Sequence, residues 1–271
     1  MKTNQLWLGT WRLLGKHSYM QDANESIAIL KKAQDLGFEW LDSAGFYEKG
    51  QVEAFLGKKT LKSKFKIASK VGLSWQKNQV VLDASAKAIK QQVKTSLKTL
   101  KRDYLDATLL HWPDPNIDIE ESLQALKECC QEGLSASWGV CNVLYDQAKL
   151  ASHLGAHFWH MEHNLLHPGF DFNAPLLPLA HIGFSPLAQG FLISNKKNFE
   201  HDDFRASSHM KQKRNHYEAM LKPYLELSKN SNESLEWLAT QWLKTQHYLD
   251  GIIIGPRSLK QLDHYINYLN T

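Results

Sequence analysis

Eight short apolar runs recur along the chain, each separated from the next by a longer polar or amphipathic stretch. They are LWLG (6–9), FEWLD (38–42), KIASK (66–70), LDATLLH (105–111), SASWGVC (135–141), FWHMEH (158–163), IGFSP (182–186) and GIIIG (251–255). Between them lie segments such as ESIAILKKAQDLG, with apolar residues at helical spacing and an end marked by Gly37. Another, ASAKAIKQQVKTSLKTLK, carries Ile89, Val93, Leu97 and Leu100 along one face. Strand and helix in alternation imply parallel strands joined by helical crossovers. Eight such units in 271 residues predict an α/β fold closed into a (β/α)8 TIM barrel rather than an open sheet. No Pro/Gly/Ser-rich linker interrupts the rhythm, so one domain over residues 1–271 is expected. The polar stretch from Ser194 to about His216 breaks the pattern after the seventh run, and long irregular loops in compact domains are more often functional lids than accidents.

Composition narrows the class of function. An apolar fraction of 43% with 22% charged residues is that of a globular protein. The balance of 32 basic to 28 acidic residues leaves +4, with the lysines scattered. The short basic stretch around Lys196, Lys197, Lys211, Lys213 and Arg214 reads as a solvated face. No nucleic-acid partner is expected, because phosphate recognition wants a dense stripe behind a reading element. Cys129, Cys130 and Cys141 do not suggest a disulfide framework. The first residues lack the apolar core of a signal peptide, and no run is long enough to span a bilayer. A cytoplasmic monomer without a membrane partner is the expectation.

The barrel turns sequence endings into neighbours, because all strands present their carboxyl ends on one face, where active sites of such folds are built. The second run ends at Asp42, the third at Lys70 and the fourth at His111, and Tyr47 sits in the loop that follows Asp42 in LDSAGFYEKG. Singly, Asp42 is explained as a cap, Lys70 as a solvated strand end, His111 as a core histidine and Tyr47 as a loop aromatic. Together they make a proton-transfer set. A tyrosine, with an ordinary pKa of about 10, donates poorly at neutral pH until a cation favours its phenolate. Lys70 supplies the cation, Asp42 holds the ammonium, and His111 orients a bound oxygen or joins the relay. Carbonyl reduction needs a group that protonates an oxygen as negative charge develops on it.

With these residues the sequence resembles the aldo-keto reductases, whose barrels use an Asp, Tyr, Lys and His tetrad. The match runs through Asp42 and Tyr47, Lys70 in IASKVG and His111 in LLHWPDP. It continues in LGTW (8–11), GVCN (139–142), MEHNLL (161–166), FSPLAQGFL (184–192) and IIGPRSLKQL (253–262), so it covers nearly the whole chain. The resemblance implies reduction of aldehydes or ketones by hydride transfer, with Tyr47 as proton donor to a small-molecule carbonyl substrate. It implies NADPH as cofactor, with NADH also admissible, held without a Rossmann domain, and no G-x-G-x-x-G occurs. By family position the cofactor-binding residues are Thr10, Trp11, Cys141, Asn142, His160, Phe184, Ser185, Leu187, Gln189, Gly190, Arg257 and Gln261. Asn142 would take the carboxamide, Phe184 the nicotinamide face, and Arg257 the adenosine phosphate. Trp11, Trp75 and Trp112 are the candidate substrate-pocket residues, and an apolar pocket favours hydrophobic aldehydes and ketones.

The chain departs from the family at identifiable places. Cys141 stands where Ser is usual, His160 where a Gln bonds the carboxamide, and Tyr265 where an adenine-binding Asn is common. The N-terminal hairpin that plugs the barrel floor is also expected to be missing, since LWLGTW begins almost at once. The floor is then open, capped by side chains, or covered by a partner. A second reading is a weakly active or regulatory nucleotide-binding barrel, like the potassium-channel β subunits that resemble this family. A third, a metal-dependent hydrolase, is prompted by His153, His157, His160, His163 and His167. These crowd one helix end, one strand and its loop instead of several strand ends, so no metal is expected.

Overall fold

The computed structural model describes residues 5–14, 23–59, 64–77, 79–169, 175–193 and 210–270. Eight strands close a parallel barrel: β1 (Leu6–Gly9), β2 (Trp40–Asp42), β3 (Lys66–Val71), β6 (Ala107–Leu110), β7 (Trp138–Cys141), β8 (Phe158–Glu162), β9 (Ala180–Phe184) and β10 (Gly251–Ile254). Closure is the pairing of β1 with β10, Leu6 opposite Ile252 and Leu8 opposite Ile254. The helices α1 (Ala23–Asp35), α2 (Gln51–Lys59), α3 (Ala86–Leu100), α4 (Ile119–Gln131), α5 (Tyr145–His153), α6 (Lys211–Ser231), α7 (Leu235–Lys244) and α8 (Leu259–Asn270) complete the alternation. Two further strands, β4 (Leu73–Gln76) and β5 (Gln79–Leu82), pair antiparallel outside the barrel, a hairpin the run pattern did not announce. Helix α6 begins at Lys211, so residues 211–216 of the stretch expected to be an irregular lid are helical, and the rest of that expectation, over 194–209, lies outside the described residues. Among the described residues no helix is long and apolar enough to cross a membrane.

Both faces of the barrel strands are largely buried, which is why their runs are continuously apolar rather than alternating. Leu6, Leu8, Leu41, Ile67, Leu110, Val140 and Ile254 face outward into one core with Ile29, Leu56, Ile89, Val93, Leu123, Leu126 and Leu262 of the helices. The other parity fills the barrel: Trp7, Ala68, Ala107, Leu109, Ile182 and Ile253 form a second buried cluster, with Trp40, Phe158, Ala180 and Phe184 packed against it. Trp7 and Trp40 stack with centroids 4.4 Å apart, and Phe158 stands edge-on to each at 5.6 Å. These rings, from the amino-terminal part of β1, β2 and β8, cap the floor with side chains. Gln5 is the one described residue before β1, and residues 1–4 lie outside the described set. The bulk of two indoles is offset by small neighbours, Ala68, Ala107 and Ala180, and by Gly251, where an added Cβ would come 3.0 Å from Trp7 Nε1.

Close strand approach also explains Gly139 in β7. A Cβ there would sit 2.4 Å from the Phe158 carbonyl oxygen and 2.7 Å from its Cβ, both on the paired strand β8. Gly139→Ala should therefore destabilise the fold by roughly 1–3 kcal/mol, the usual cost of overpacking a close-packed interior. A urea midpoint equal to that of the parent protein would contradict the β7–β8 spacing.

Candidate active site

The barrel register carries three ionisable side chains to its carboxyl end. Gly9 pairs with Asp42, and Thr10 donates to the Asp42 carbonyl oxygen from both its backbone N–H and its hydroxyl, each at 2.9 Å, which locks the end of β2. Lys70 is the penultimate residue of β3, and His111 follows β6, its N–H bonded to the Val71 carbonyl at 2.8 Å. The Lys70 ammonium donates to Asp42 Oδ2 at 2.6 Å and to the Ser43 carbonyl at 3.1 Å, and lies 3.5 Å from the Tyr47 hydroxyl. Tyr47 is set above them by a sharp turn in which Glu48, Lys49 and Gly50 all take positive φ. Its ring meets His111 edge-on, centroids 5.9 Å apart, with Trp11 tilted at 6.3 Å.

Burial and charge compete at each of these groups. Burial would raise the Asp42 carboxyl, but the charge of Lys70 and the neighbouring His160 outweigh it and hold it below its ordinary value. For Lys70, burial favours the neutral amine, yet Asp42 keeps it firmly protonated. Tyr47 differs from the sequence expectation. Burial pushes its phenol up to about 12, more than Lys70 pulls it down, so Tyr47 holds its proton securely and Lys70 offsets only part of the burial penalty. Burial, aided by Lys70, drives His111 down to about 3, which makes it a neutral imidazole.

A pH dependence follows from His111 and from His163, which burial lowers to about 4. An unfolded histidine titrates near pH ~6.5. Below that the unfolded chain takes up protons that the native protein refuses, so stability falls as pH drops from ~6.5 towards the folded values. The slope is roughly 1.4 kcal/mol per pH unit for each such histidine. Asp42, with its folded pKa depressed, contributes stability that is present above the ordinary carboxylate pKa and is lost as pH falls from there towards its lower folded value. Denaturant titrations at pH ~7 and pH ~5 should show this loss, and His163→Phe should remove about one proton's worth of slope; identical slopes would exclude His163 as a source.

The four residues open onto a cavity of about 370 Å³. Trp11, Phe46, Leu73 and Trp112 form an apolar wall, and Cys141, Asn142, Phe184, Ser185, Leu187, Gln189 and Gly190 also line it. Asn142, Ser185 and Gln189 hold positive φ, strain that clusters at functional sites. The Asn142 amide donates to the His111 carbonyl at 2.9 Å and to Cys141 Sγ at 3.1 Å.

Other expected site residues do not line the cavity. Thr10 is buried against Asp42. His160 is fully buried one layer below the rim, with Nδ1 3.4 Å from Asp42 Oδ2 and its ring edge-on to Trp7 at 5.1 Å, so it supports Asp42 instead of facing the cavity. Trp75, from β4, stacks on Phe46 at 5.1 Å and donates to its carbonyl at 2.9 Å, so Phe46 is the ring presented to the cavity. Arg257 and Gln261 are tied to each other, the Arg257 N–H donating to Gln261 Oε1 at 2.7 Å, two residues beyond the cavity-lining Gly255.

Sequence reasoning missed Arg12, Glu162 and, as a cavity residue, Phe46, and it read Lys213 as part of a solvated face, whereas Lys213 lines the cavity and is bound to Glu162. Glu162 ends β8, two residues after His160 and so on the same inward parity, a signal already present in HMEH. Among the described residues no group of three or more His, Cys, Asp or Glu side chains is placed to hold a metal ion.

Comparison with known proteins gives a consistent result. The sequence model of the Aldo/keto reductase family matches residues 5–271. The chain is 29% identical to an aldo-keto reductase of Bacillus subtilis, YhdN, over 97% of this chain and 84% of that protein. It is 24% identical to an NADH-specific methylglyoxal reductase of Escherichia coli, over 98% and 90% of the two chains. Among solved structures it is similar to a glycerol dehydrogenase of Gluconobacter oxydans, with a TM-score of 0.78 and 22% identity over 98% of this chain and 86% of that one.

Proposed function

The chain belongs to the aldo/keto reductase family, and we propose that it reduces aldehydes or ketones to alcohols with NADPH, Tyr47 being the proton donor. It is an NAD(P)H-dependent oxidoreductase of the family whose members act on small carbonyl compounds. The observation that carries the finer reading is the Lys70 ammonium between Asp42, at 2.6 Å, and the Tyr47 hydroxyl, at 3.5 Å, beside a cavity large enough for a small ligand.

The residues present suit a nicotinamide nucleotide: an aromatic face at Phe184, an amide oxygen at Asn142, and the strained Ser185–Gly190 loop. When bound, the nucleotide supplies a hydride to the carbonyl carbon. Asn142 and Phe184 would orient it, Ser185, Leu187, Gln189 and Gly190 would follow its pyrophosphate, and Arg257 with Gln261 would meet the adenosine phosphate. Trp11 and Trp112 hold the substrate, and His111, neutral, hydrogen-bonds its oxygen. Tyr47 Oη gives that oxygen its proton as charge develops there, and Lys70 steadies the resulting phenolate. Asp42 keeps Lys70 charged and in place. Low dielectric around these groups strengthens each interaction.

A screen of aldehydes and ketones, following NADPH and NADH oxidation in parallel, tests class and cofactor together. NADPH is expected to bind more tightly than NADH, and Arg257→Ala to narrow the gap, because the guanidinium loses a dianionic partner. Equal dissociation constants for the two nucleotides in the parent protein would remove Arg257 from this role. A regulatory nucleotide-binding barrel would instead bind NADPH without turnover, an outcome the ordered Asp42, Lys70 and Tyr47 disfavour. The reading extends to one barrel domain over residues 1–271, acting as a cytoplasmic monomer, and sedimentation at the mass of one chain checks the last of these.

A further inference from the structure

We infer that Glu162 and Lys213 form a hydroxyl-binding subsite in the cavity, suited to a vicinal diol. The inference rests on the reductase reading of the same cavity and uses residues that reading leaves idle. Glu162 ends β8 and Lys213 lies in the first turn of α6, and both line the cavity. The Lys213 ammonium donates to Glu162 Oε2 at 2.5 Å, and the Tyr217 hydroxyl donates to Glu162 Oε1 at 2.5 Å. Lys213 and Tyr217 are four residues apart and so share one face of α6, which fixes the carboxylate from both sides.

Each carboxylate oxygen can accept a further bond, and an ammonium has three N–H groups. Among the described residues the hydrogen bonds shown for Lys213 go to Glu162 alone. The side chains are 31% and 14% exposed for Lys213 and Glu162, so a ligand can reach both. Acceptor and donor thus stand side by side with no net charge. An anion there meets Glu162, a cation meets Lys213, and an apolar group leaves both without new partners. Two adjacent hydroxyls satisfy both, one donating to Glu162 and one accepting from Lys213. Such a diol has two sources, a ribose of the dinucleotide or a polyhydroxylated carbonyl substrate.

The test uses Glu162→Gln, Lys213→Met and the conservative Lys213→Arg. NADPH dissociation constants are measured by direct titration, and kcat/KM is measured for glyceraldehyde and for propanal, which lacks the two hydroxyls. Loss of a hydrogen bond to a charged group corresponds to about tenfold. A rise of that size in the NADPH dissociation constant with Lys213→Met and Glu162→Gln, restored by Lys213→Arg, assigns the subsite to ribose. A tenfold fall in the glyceraldehyde-to-propanal ratio assigns it to substrate. Unchanged values of both overturn the inference. So does an equal loss in nucleotide affinity and in both substrates, which marks loosening of α6. Failure of the reductase reading looks different: the parent protein would turn over neither aldehyde, while the nucleotide titration would still decide the ribose arm.

Discussion

Tyr47→Phe is expected to lower kcat for carbonyl reduction by about 10²-fold or more, the scale of general acid catalysis, with the nucleotide's dissociation constant nearly unchanged. The substitution keeps the ring that packs against His111 and Trp11 and removes only the hydroxyl. That hydroxyl is the group beside Lys70, 3.5 Å from its ammonium, and burial keeps it protonated well above neutral pH, to about 12. A phenol so placed gives up its proton only to an oxygen gaining charge, which is the moment the reaction needs it. His111 cannot substitute, since a neutral imidazole with its pKa driven down to about 3 has no extra proton to give. The expected signature is a fall in kcat rather than a rise in KM, because the lost interaction belongs to the transition state. A variant that reduces its best aldehyde at the parent rate would remove Tyr47 from the chemistry.

Lys70→Met should cost both activity and fold. Asp42 and Lys70 are almost wholly enclosed, with side chains 6% and 3% exposed. Removing one partner of a buried pair leaves an uncompensated charge, which typically costs about 3–5 kcal/mol. In the variant, burial is the largest influence on Asp42 and His160 alone opposes it, so its carboxyl rises instead of lying low. The sign of linkage then reverses. A folded pKa above the unfolded value recovers stability as pH falls, so the deficit relative to the parent should shrink towards pH ~4, as Asp42 takes up a proton. Adding Asp42→Asn should restore part of the loss at neutral pH, because the stranded charge is gone. Denaturant unfolding of the four proteins of this cycle measures it. A constant deficit at every pH would indicate lost packing around Lys70 instead. In activity, Lys70→Met and Tyr47→Phe should fail to add, as residues acting as one unit do.

The barrel was legible because parallel strands buried on both faces leave uninterrupted apolar runs, and Asp42, Lys70 and His111 followed because barrel closure makes strand ends adjacent. The β4–β5 hairpin was not, since Val80 and Leu82 are half-exposed and its pattern has no buried face to announce it. Nor was the floor: the stacking of Trp7 on Trp40 depends on register between strands whose intervening helix hides it. The position of His160 turned on depth along β8, where Glu162 takes the place at the rim and His160 the place beneath Asp42. The Glu162–Lys213 pair spans 51 residues and arises only when α6 docks. Local composition carries little of this. Tyr47's firm hold on its proton came from burial, which charge spacing alone does not report.

The fate of a deuterium label probes the assignment of this site most closely. NADPH and NADH carrying deuterium at the transferable ring position are each supplied with a saturating aldehyde, and the alcohol is analysed by mass spectrometry. The arrangement of Asp42, Tyr47, Lys70 and His111 predicts one deuterium on the carbinol carbon, faster from NADPH, with the rate of label transfer lowered by about 10²-fold in Tyr47→Phe. Label transfer at the parent rate in that variant, or no labelled alcohol from either nucleotide across a panel of aldehydes and ketones, would contradict it.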